Sequence, residues 1–535
     1  MSHNHRCTQS DFVFSMIYGD EEANSTITWL KSLAEAMPLP ELDAEQRFSP
    51  ADLFVTINPV DFSSPGQTAL TTLQAFANQW LKDWVTGLHL LPFHPAAAND
   101  PHATADFRRV DASLGSWSDL QTLAEQYWLM TDLSLQRTAR DHHWYQGFLQ
   151  SNEDYAEYYL PGESAILDYQ NPQILREMSA AMYHYVYRGA RLVRLVDAER
   201  LFYRDDAIKL HDTRSHLVAR FLRSVANEYA PGLRLMAGVC ADQGETALYG
   251  GNGENENHLL PNNAFAPMLI HAMNTGEVSE FRSWAARMSL PFPEVMFYNQ
   301  IDSLEPVSLR PVARLLSVDQ LAALASHVES RGGHVTRTEN GEPIELRMRL
   351  WDMLRSNVNE TSDIGIDRYL AAQAVLFALV GLPAISITSL LAPALPAKIH
   401  PDRRVAISQA VDLAEIDTQM KSESSGLRKV IDGMRNLLQA RASVSAFDPA
   451  GVQTILDPGQ AVFGVLRFSL FEAGLVVCLT NFSSQVRQAR VDINEAGFEV
   501  NTWRDVLSGQ QVNAQQAQQL TLQPYQSMWL VPLED

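Results

Sequence analysis

Residues Ile174–Val196 read ILREMSAAMYHYVYRGARLVRLV, and this stretch holds a helical pattern followed by a strand pattern. Over Ile174–Tyr187 the apolar residues recur at three- and four-residue spacing, which predicts an amphipathic helix. After Gly189, the run Ala190–Val196 is short and apolar with β-branched residues, which favours a buried strand. A helix that leads directly into a buried strand is typical of a parallel sheet covered by helices.

The same alternation recurs on both sides of this stretch. Short apolar runs predict further strands at Leu53–Ile57, Leu88–Phe93, Trp128–Leu133, Leu233–Val239, Val295–Tyr298 and Ala384–Thr388, with another expected near His258–Phe265. Helical spacing separates them, for example at Leu73–Trp84, Thr213–Tyr229 and Val318–Glu329. Eight strands with helices between them favour an α/β fold of the (β/α)8 TIM barrel type, with insertions, over an open doubly wound sheet. No GxGxxG motif follows any of these strands, so a dinucleotide site is not predicted.

One stretch, Tyr369–Ala397, carries no charged residue and is longer than a bilayer-spanning helix requires. Gly381 and Pro383 interrupt it. We therefore predict a buried helix that ends near Gly381, followed by a buried strand at Ala384–Thr388, rather than a membrane-spanning helix.

Beyond about residue 440 the pattern changes to short strand-like runs with turn residues between them. These runs are Val452–Asp457, Ala461–Phe468, Leu475–Asn481, Gln488–Ile493 and Leu520–Val531. They predict a small all-β domain, a sandwich, in which the glutamine-rich run Gln510–Gln519 is a loop. The predicted organisation is an N-terminal segment at 1–50, a barrel at 51–440 and a β-domain at 445–535. Insertions into the barrel are expected at about 137–166, after the third strand, and at about 305–365, after the seventh.

Composition excludes several classes of protein. Asp and Glu number 63 against 41 Lys and Arg, and the resulting charge of −22 argues against nucleic acid or an anionic membrane as a partner. The hydrophobic fraction of 46% and the charged fraction of 19% are typical of a globular chain. Three widely spaced cysteines predict neither a disulfide framework nor a CxxC metal site, and no secretory signal is visible at the N-terminus. We expect a cytoplasmic protein.

Residues Gly87–Trp117 read GLHLLPFHPAAANDPHATADFRRVDASLGSW. The combination of LLPF, VD and LGSW at this spacing resembles sucrose phosphorylase and its glucosylglycerate phosphorylase relatives, members of the α-amylase clan of glycoside hydrolases. The resemblance continues through LDYQNP at Leu167–Pro172, GARLVRL at Gly189–Leu195 and the closing motifs WRDVLSG and PYQSMWL. It covers nearly the whole chain, and it implies the same barrel followed by a C-terminal β-domain.

The resemblance also implies a double displacement. In that reaction a carboxylate attacks the anomeric carbon, a carboxylic acid protonates the leaving oxygen, and phosphate resolves the covalent intermediate. The family's nucleophile is an Asp in an R-L-D-A motif at the end of the fourth strand. Here the same place reads Arg194, Leu195, Val196 and Asp197, so Val196 takes the nucleophile position. Asp197 can replace it only after a one-residue insertion or through a β-bulge, because successive strand residues face opposite sides.

The other two carboxylates that the resemblance implies are also altered. The acid/base Glu at the end of the fifth strand corresponds to Gly238, and the acids that lie downstream of it are Asp242 and Glu245. The third carboxylate, an Asp preceded by His after the seventh strand, corresponds to Glu305, and Leu304 stands in place of the His.

Positions that the family uses to hold the sugar are retained only in part. The resemblance keeps Asp106 and Arg194. The Asn-His pair that ends the family's third strand corresponds to Gln136 and Arg137, and an Arg near the end of the barrel corresponds to Gln409. The candidate substrate-binding residues are therefore Asp106, Arg137, Arg194 and Gln409.

Two functions are compatible with these replacements. Loss of a nucleophile and an acid together costs many orders of magnitude in rate, which indicates a non-catalytic pseudoenzyme. Such a protein would bind a sugar or sugar phosphate, or would pair with an active homologue or a second copy of itself. The alternative is an active retaining α-glucosyl phosphorylase with Asp197 as nucleophile, Glu305 as second carboxylate and Asp242 or Glu245 as acid. No cofactor is expected, and inorganic phosphate is a co-substrate only in this alternative.

A prediction about charge pairing follows from the cost of leaving charges unpaired in a partly buried site. Arg137 and Glu305 are expected on opposite rims of the barrel mouth. We predict that they pair with each other, directly or through Arg347. The alternative is that both are solvated loop residues.

Aromatic and histidine residues near the predicted site are interpreted as structural. The aromatic side chains considered are Trp117, Trp144, Tyr145 and Trp351. We predict that they pack against the barrel rather than form a platform for sugar stacking. The doublet His142-His143 is interpreted as a solvated loop pair rather than a set of metal ligands, because no acidic partner stands at metal spacing.

Overall fold

The structure, a computed structural model of the chain, describes residues 8–40, 42–162, 165–202, 212–289, 292–355, 362–469, 474–490 and 500–533. Within these residues eight parallel strands close into one barrel. In chain order they are β1 Phe54–Ile57, β2 Gly87–Leu90, β3 Trp128–Ser134, β4 Ala190–Val196, β5 Arg234–Gly238, β6 Leu259–Pro261, β7 Met296–Gln300 and β8 Leu382–Ser386. Each strand pairs with its neighbours in the chain, and β8 pairs with β1. The predicted TIM barrel is confirmed.

Helices connect the strands and cover the barrel. The α-helices of the described residues are Gln9–Tyr18, Asp20–Ala36, Ala69–Phe76, Trp117–Ala124, His143–Leu149, Pro172–Tyr187, Thr213–Tyr229, Gln243–Ala247, Phe265–Thr275, Ser279–Ala285, Val318–Glu329, Leu350–Leu354, Ser362–Ala378, Ile387–Leu390, Leu413–Lys421, Gly426–Ala442 and Ala514–Ala517. The helix predicted at Leu73–Trp84 is wrong in its bounds, because it starts at Ala69 and passes into a π-helical turn at Ala77–Leu81.

The helix Pro172–Tyr187 and the strand β4 after it show why these boundaries form. The side chain of Asn171 accepts a hydrogen bond from the N–H of Gln173, and Pro172 occupies the first helical turn, so the helix starts at Pro172. Gly189 follows the helix with φ 104°, a left-handed conformation that favours glycine. The chain can therefore reverse within two residues and enter β4.

The uncharged stretch contains, as predicted, the end of a helix, Ser362–Ala378, followed by a buried strand. The predicted bounds of that strand, Ala384–Thr388, are wrong, because β8 covers Leu382–Ser386 and a helix starts at Ile387. Gly381 lies between the first helix and β8 with φ 114°, and a Cβ there would lie 2.7 Å from the carbonyl oxygen of Phe297. Only glycine fits at this crossing. No helix among the described residues is long and apolar enough to cross a membrane.

The interior of the barrel is filled at the end where the strands begin. A compact apolar cluster occupies it, made of Phe54, Met130, Leu192, Met236, Leu259, Tyr298, Leu382 and Ala384, with Phe48 and Trp128 packed against it. This cluster fills the space between the strands there, so the charged groups inside the barrel lie toward the end where the strands finish.

The C-terminal region is all-β apart from one short helix. A six-stranded antiparallel sheet contains Val452–Leu456, Val462–Phe468, Leu475–Asn481, Ser527–Pro532, Thr502–Asp505 and Gln511–Asn513. A two-stranded sheet, Arg487–Ala489 with Leu520–Leu522, shares an apolar core with it, as a sandwich requires. The prediction of one strand over Leu520–Val531 is wrong, because a turn splits it, and the predicted loop Gln510–Gln519 contains a strand and a short helix. Residues 491–493 of the strand predicted at Gln488–Ile493 lie outside the described residues.

Both predicted insertions carry structure of their own. After β3, the segment that includes 137–166 forms the helix His143–Leu149 and returns through single bridges such as Arg137 with Ile166. After β7, a three-stranded sheet forms from Val307–Ser308, Pro343–Arg347 and His334–Arg337. The linker to the β-domain is held by two fully buried arginines that donate to its backbone carbonyls, Arg441 to Phe447 and Arg467 to Asp448.

Candidate functional site

A cavity of about 590 Å³ lies where the barrel strands end, and we call it the mouth cavity. The last residues of four consecutive strands line it: Val196 of β4, Gly238 of β5, Pro261 of β6 and Gln300 of β7. The loops that follow these strands supply the rest of its wall. This is the end at which TIM barrels carry their functional groups.

The deepest charged group of the mouth cavity is Arg194, which points inward from β4. Its Nε donates to Oδ1 of Asp132 at 2.8 Å, and its Nη2 donates to Oδ2 at 2.7 Å. The same carboxylate accepts hydrogen bonds from Nε2 of His89 and Nε2 of His102, each at 2.9 Å. We call these four residues the inner network. Although burial opposes it, the charge of Arg194 with the two histidines holds the pKa of Asp132 well below its usual range.

Val196, the last residue of β4, is buried and presents only an isopropyl group to the mouth cavity. The next residue, Asp197, adopts a left-handed conformation with φ 61°, and its N–H donates to the carbonyl of Gly238 at 3.1 Å. Strict alternation along β4 would turn Asp197 away from the cavity. The left-handed turn overrides that alternation, so the Asp197 side chain lines the cavity.

The carboxylate of Asp197 is held by Arg404, which lies in the loop that follows β8. Nη1 and Nη2 of Arg404 donate to its two oxygens at 2.8 and 3.0 Å. Such a bidentate pair fixes both the orientation and the ionisation of a carboxylate. Burial would raise the pKa of Asp197, but Arg404 lowers it below its usual value.

Gly238 ends β5 in very close contact with β4. A Cβ at this position would lie 2.5 Å from the carbonyl oxygen of Leu195 and 2.8 Å from the Cα of Val196. These neighbours are backbone atoms, which cannot rotate away as a flexible side chain can. No side chain larger than hydrogen therefore fits here unless β4 and β5 separate.

Glu305, which lies in the loop that follows β7, is also bound by arginine. Its Oε2 accepts from Nη1 of Arg194 at 2.8 Å, and its Oε1 lies 3.5 Å from Nε of Arg404 and 3.8 Å from Nε2 of His102. Burial opposes ionisation, but these neighbouring positive groups lower the pKa of Glu305 to about 2. Arg404 thus lies between the two carboxylates, Asp197 and Glu305.

The predicted pairing of Arg137 with Glu305 is wrong. Nη1 of Arg137 lies 3.3 Å from Oδ2 of Asp100, whereas Glu305 uses Arg194. Arg347 does not bridge them, because it bonds to Glu345 and to a backbone carbonyl. The alternation of β4 brings Arg194 inward beneath Glu305, and it leaves Arg137 to the loop that carries Asp100.

The remaining candidate residues are spread over several places. Arg137 and Arg194 line the mouth cavity, but Asp106 and Gln409 are outside its lining. Oδ1 of Asp106 accepts the N–H of Arg108 at 2.9 Å in a turn, and the buried Nε2 of Gln409 donates to the carbonyl of Leu395 at 2.6 Å. The structure thus places these two residues apart from the mouth cavity, and their assignment as substrate-binding groups stays a prediction.

The alternative acids also lie outside the lining of the mouth cavity. Asp242 caps the helix Gln243–Ala247, since its side chain accepts the N–H of Glu245. Glu245 lies 3.3 Å from Nη2 of Arg310 on the surface. Their assignment as the acid of an active enzyme stays a prediction.

Three residues that the sequence analysis did not single out line the mouth cavity: Arg404, Glu199 and Asp302. Glu199 is buried, and burial together with the charge of Asp197 raises the pKa of its carboxyl group. Burial also raises the pKa of Asp302 to about 7, and its Oδ1 accepts the N–H of Ser386 at 2.7 Å. The position of Asp302, two residues beyond the end of β7, is the one sequence feature that indicates a site residue among these three. No local sequence feature indicates that Arg404 belongs to the site.

The aromatic side chains predicted to be structural do not line the mouth cavity. They are Trp117, Trp144, Tyr145 and Trp351. His142 differs from its interpretation as solvated, because it is buried and its Nδ1 accepts the N–H of Trp144 at 3.1 Å, while His143 is exposed. Among the described residues, no group of histidine, cysteine and acidic side chains has the arrangement of a metal site.

Comparison with known proteins agrees with the geometry. The chain is 27% identical over 561 aligned residues to a glucosylglycerate phosphorylase of Allomeiothermus silvanus. The alignment covers 96% of this chain and 97% of that protein. The fold of this chain is similar to that of sucrose 6F-phosphate phosphorylase from Thermoanaerobacter thermosaccharolyticum, with a TM-score of 0.68, 15% identity, and coverage of 86% and 99% of the two chains. It is also similar to α-amylase from Geobacillus thermoleovorans, with a TM-score of 0.64, 12% identity, and coverage of 92% and 100%. No family profile matches the chain. The resemblance to sucrose and glucosylglycerate phosphorylases, and the α-amylase type of barrel, are confirmed.

Proposed function

We propose that this relative of the sucrose and glucosylglycerate phosphorylases binds a sugar or a sugar phosphate in its mouth cavity without cleaving glycosidic bonds. The observation that carries the proposal is the contact between Val196 and Gly238 at the ends of β4 and β5. The resemblance places the nucleophile at the first of these positions and the acid/base at the second. The first has no nucleophilic atom, and the second cannot accept a side chain because backbone atoms fill the space.

The acids that remain near these positions are held in forms unsuited to the missing roles. Asp197 is clamped by Arg404, and the lowered pKa of Glu305 prevents it from donating a proton near neutral pH. Retention requires two carboxyl groups about 5 Å apart on either side of the scissile bond, one of them protonated. A guanidinium lies between these two carboxylates instead.

The chemistry of the cavity wall supports a sugar or sugar phosphate as the ligand. Carboxylate, guanidinium and amide groups line it, and hydroxyl groups of a sugar bind such groups by paired hydrogen bonds. Arg137, Arg200 and Arg403 are also among its lining residues. Guanidinium groups recognise phosphate by two parallel hydrogen bonds, so these arginines favour the phosphorylated form.

The test is a calorimetric titration of the full chain with glucose, sucrose, glucosylglycerate and glucose 1-phosphate. We expect one of these ligands to bind in the mouth cavity. Arg137→Gln should weaken a phosphorylated ligand about tenfold, because it removes one charge-assisted hydrogen bond. Arg428→Gln, which changes an arginine on the helix Gly426–Ala442 outside the cavity, is the matched control. Absence of binding by all four compounds, or equal effects of the two variants, would contradict the proposal.

A second candidate function has one observation in its favour. Asp197 is ionised and lines the cavity, and Glu199, with its raised pKa, lines the same cavity. Two acids with pKa values pushed apart are the pattern of a nucleophile and a proton donor. This candidate is an active retaining α-glucosyl phosphorylase with displaced carboxylates. It requires phosphate-dependent release of glucose 1-phosphate that both Asp197→Asn and Glu199→Gln abolish.

The proposed setting is the cytoplasm. The chain has three cysteines, and within the described residues Cys240 and Cys478 are free thiols. Proteins that keep unpaired thiols in this way are typical of a reducing compartment. Labelling of the thiols in intact cells, followed by mass spectrometry, tests this placement.

A further inference from the structure

A second cavity, which we call the lower cavity, lies at the end of the barrel opposite the mouth cavity. Its volume is about 500 Å³, and the first residues of three strands line it: Arg234 of β5, Leu259 of β6 and Met296 of β7. Residues 44–48 and the linker residues Asp448 and Ala450 complete its wall. It shares no lining residue with the mouth cavity.

Basic side chains dominate the inner wall of the lower cavity. Arg223 is 8% exposed and His258 is 9% exposed, and Arg234 is half-buried beside them. Their described hydrogen bonds go to neutral groups. Arg223 donates to Oδ1 of Asn227 at 3.0 Å and to the carbonyl of Glu256 at 2.9 Å, and Arg234 donates to the carbonyl of Ala44 at 2.8 Å. Within the described residues no carboxylate pairs with any of the three.

The histidine presents an open hydrogen-bond donor. Nδ1 of His258 accepts the backbone N–H of Leu235 at 2.9 Å, so the proton of the neutral ring lies on Nε2. That Nε2–H has no partner among the described residues, and the ring lines the lower cavity. Nη2 of Arg223 likewise has no partner in the described part of the chain. Burial, with the charges of Arg223 and Arg234, holds the pKa of His258 well below its usual range.

The acidic residues of the lower cavity do not neutralise this wall. Glu45 and Glu294 are exposed and lie at its edge. Oδ1 of Asp448 accepts the N–H of Ala450 at 2.8 Å and is used by its own turn. Acidic residues act on this wall only through their charge: Glu45 and Asp43 favour the ionised form of Arg234, and Glu254 favours that of Arg223. None of them forms an ion pair with these arginines among the described residues, so the inner wall lacks a directly bound counter-ion, which is costly for buried positive charge.

We propose that the lower cavity binds the phosphate group of a small phosphorylated metabolite. A phosphate supplies both the negative charge and the acceptor oxygens that Arg223, Arg234 and His258 lack. Small-ligand sites span about 300–1,000 Å³, so this cavity has room for a sugar or a nucleoside beside the phosphate. Leu259, Met296 and the ring of Phe48 offer apolar walls to that body. This site is independent of the function proposed for the mouth cavity.

The first experiment measures binding to the wild-type full chain by calorimetry. Inorganic phosphate, glucose 1-phosphate and AMP are the probes, and glucose and adenosine are their neutral counterparts. Binding of inorganic phosphate as tight as that of the two esters identifies free phosphate as the ligand, and tighter binding of one ester identifies a phosphorylated metabolite. Failure of all three phosphate-bearing probes overturns the proposal.

Two variants assign the binding to the lower cavity. In His258→Asn the amide oxygen can take over the acceptor role of Nδ1 toward Leu235, while the Nε2–H donor is lost. Arg223→Gln removes the charge. We expect each variant to weaken the probe by about tenfold or more, and the mouth-cavity variant Arg347→Gln to leave it unchanged. Unchanged affinity in both lower-cavity variants, with loss in Arg347→Gln, overturns this proposal and leaves the one for the mouth cavity standing.

A measurement on the wild-type chain guards against variants that fold poorly. In protein labelled with 15N-histidine, the Nε2 resonance that is absent from His258→Asn reports on the lower cavity directly. We expect this resonance to shift on addition of glucose 1-phosphate but not of glucose. A resonance that does not move while binding is saturated places the ligand elsewhere and overturns the proposal.

Discussion

The inner network and the two strand ends above it differ sharply, although they lie in adjacent layers of one barrel. In the inner network, Asp132 accepts four hydrogen bonds, from Arg194, His89 and His102. At the strand ends, Val196 and Gly238 present an isopropyl group and a hydrogen atom. The resemblance assigns a sugar-holding role to Arg194 in the first layer and the reacting carboxylates to the second.

This contrast indicates which part of an active site the fold needs for its stability. Removing one member of a buried charged network strands the other members in a medium of low dielectric, so the network persists whether or not it is used in catalysis. A nucleophile or a proton donor at a strand end has no such partners. Under the proposed function such a group can be replaced without cost to folding, because the scaffold does not depend on its chemistry.

The largest expected effect is that of Asp132→Asn, which leaves Arg194 without its main counter-ion. We expect a loss of about 3–5 kcal/mol in the free energy of unfolding, as is usual for one half of a buried ion pair. Urea denaturation followed by circular dichroism measures it. Asp402→Asn, the same change at an exposed residue that lines the mouth cavity, should cost less than about 0.5 kcal/mol. Equal losses of stability in the two variants would contradict the proposal that the fold depends on the inner network.

Asp302 should respond to pH in the sense opposite to Asp132, because its pKa is raised to about 7 while that of Asp132 is lowered. Folded Asp302 keeps its proton between pH 4 and 7, whereas the unfolded chain releases it, so its contribution to stability falls as pH rises through this range. Asp132 contributes stability above about pH 4 that is lost as pH falls further. Asp302→Asn should therefore stabilise the protein at pH 8, on the order of 2–4 kcal/mol at roughly 1.4 kcal/mol per pKa unit, and should have no effect at pH 4.

Denaturation of the wild-type protein and Asp302→Asn across pH 4–8 is the measurement. A difference between the two proteins that stays constant over this range would show that Asp302 is ionised throughout.

Gly238→Ala tests the strand ends directly. The added Cβ would lie 2.5 Å from the carbonyl oxygen of Leu195, and we expect this overpacking to cost about 1–3 kcal/mol. Gly244→Ala is the matched control, because its Cβ would meet nothing closer than Oδ1 of Asp242, at 3.5 Å. Thermal denaturation of both variants decides the matter. If Gly238→Ala is as stable as its control, the space is available and the proposed reason for the missing acid/base fails.

The smallest effect concerns the Asp197–Arg404 pair at the edge of the mouth cavity. A cycle of Asp197→Asn, Arg404→Gln and the double variant should give a coupling energy of about 1–2 kcal/mol, less than a fully buried pair. Chemical denaturation of the four proteins supplies the numbers. Additive effects of the two substitutions would mean that Arg404 does not hold this carboxylate, and that Asp197 is free to act.

The sequence predicted the elements whose signal is local. Ala190–Val196, Thr213–Tyr229 and Val318–Glu329 agree with the structure at both ends, because their periodicity and caps lie within the segment itself. The strand predicted over Leu520–Val531 is wrong because a turn splits it, in which Tyr525 adopts φ 55°. The turn lacks glycine, and Pro524 is its one local signal.

The site was less accessible to sequence reasoning because its pairings are distant in the chain. The pair of Arg404 with Asp197 spans 207 positions, and that of Arg194 with Glu305 spans 111. The left-handed turn at Asp197 also has no glycine to mark it. The alternation of strand residues correctly predicts that Arg194 points inward. It does not predict that Asp197, three residues later, also lines the same cavity.

The most direct test of the account follows an α-glucoside in the presence of the protein. Anomeric 13C-labelled sucrose and glucosylglycerate are incubated with inorganic phosphate and an equal concentration of the full chain, and the anomeric signals are recorded by NMR over several days. We predict that the anomeric signals of the glucosides are not replaced by those of a cleavage product. Appearance of the signal of α-glucose 1-phosphate, and its absence with Asp197→Asn, would contradict the account.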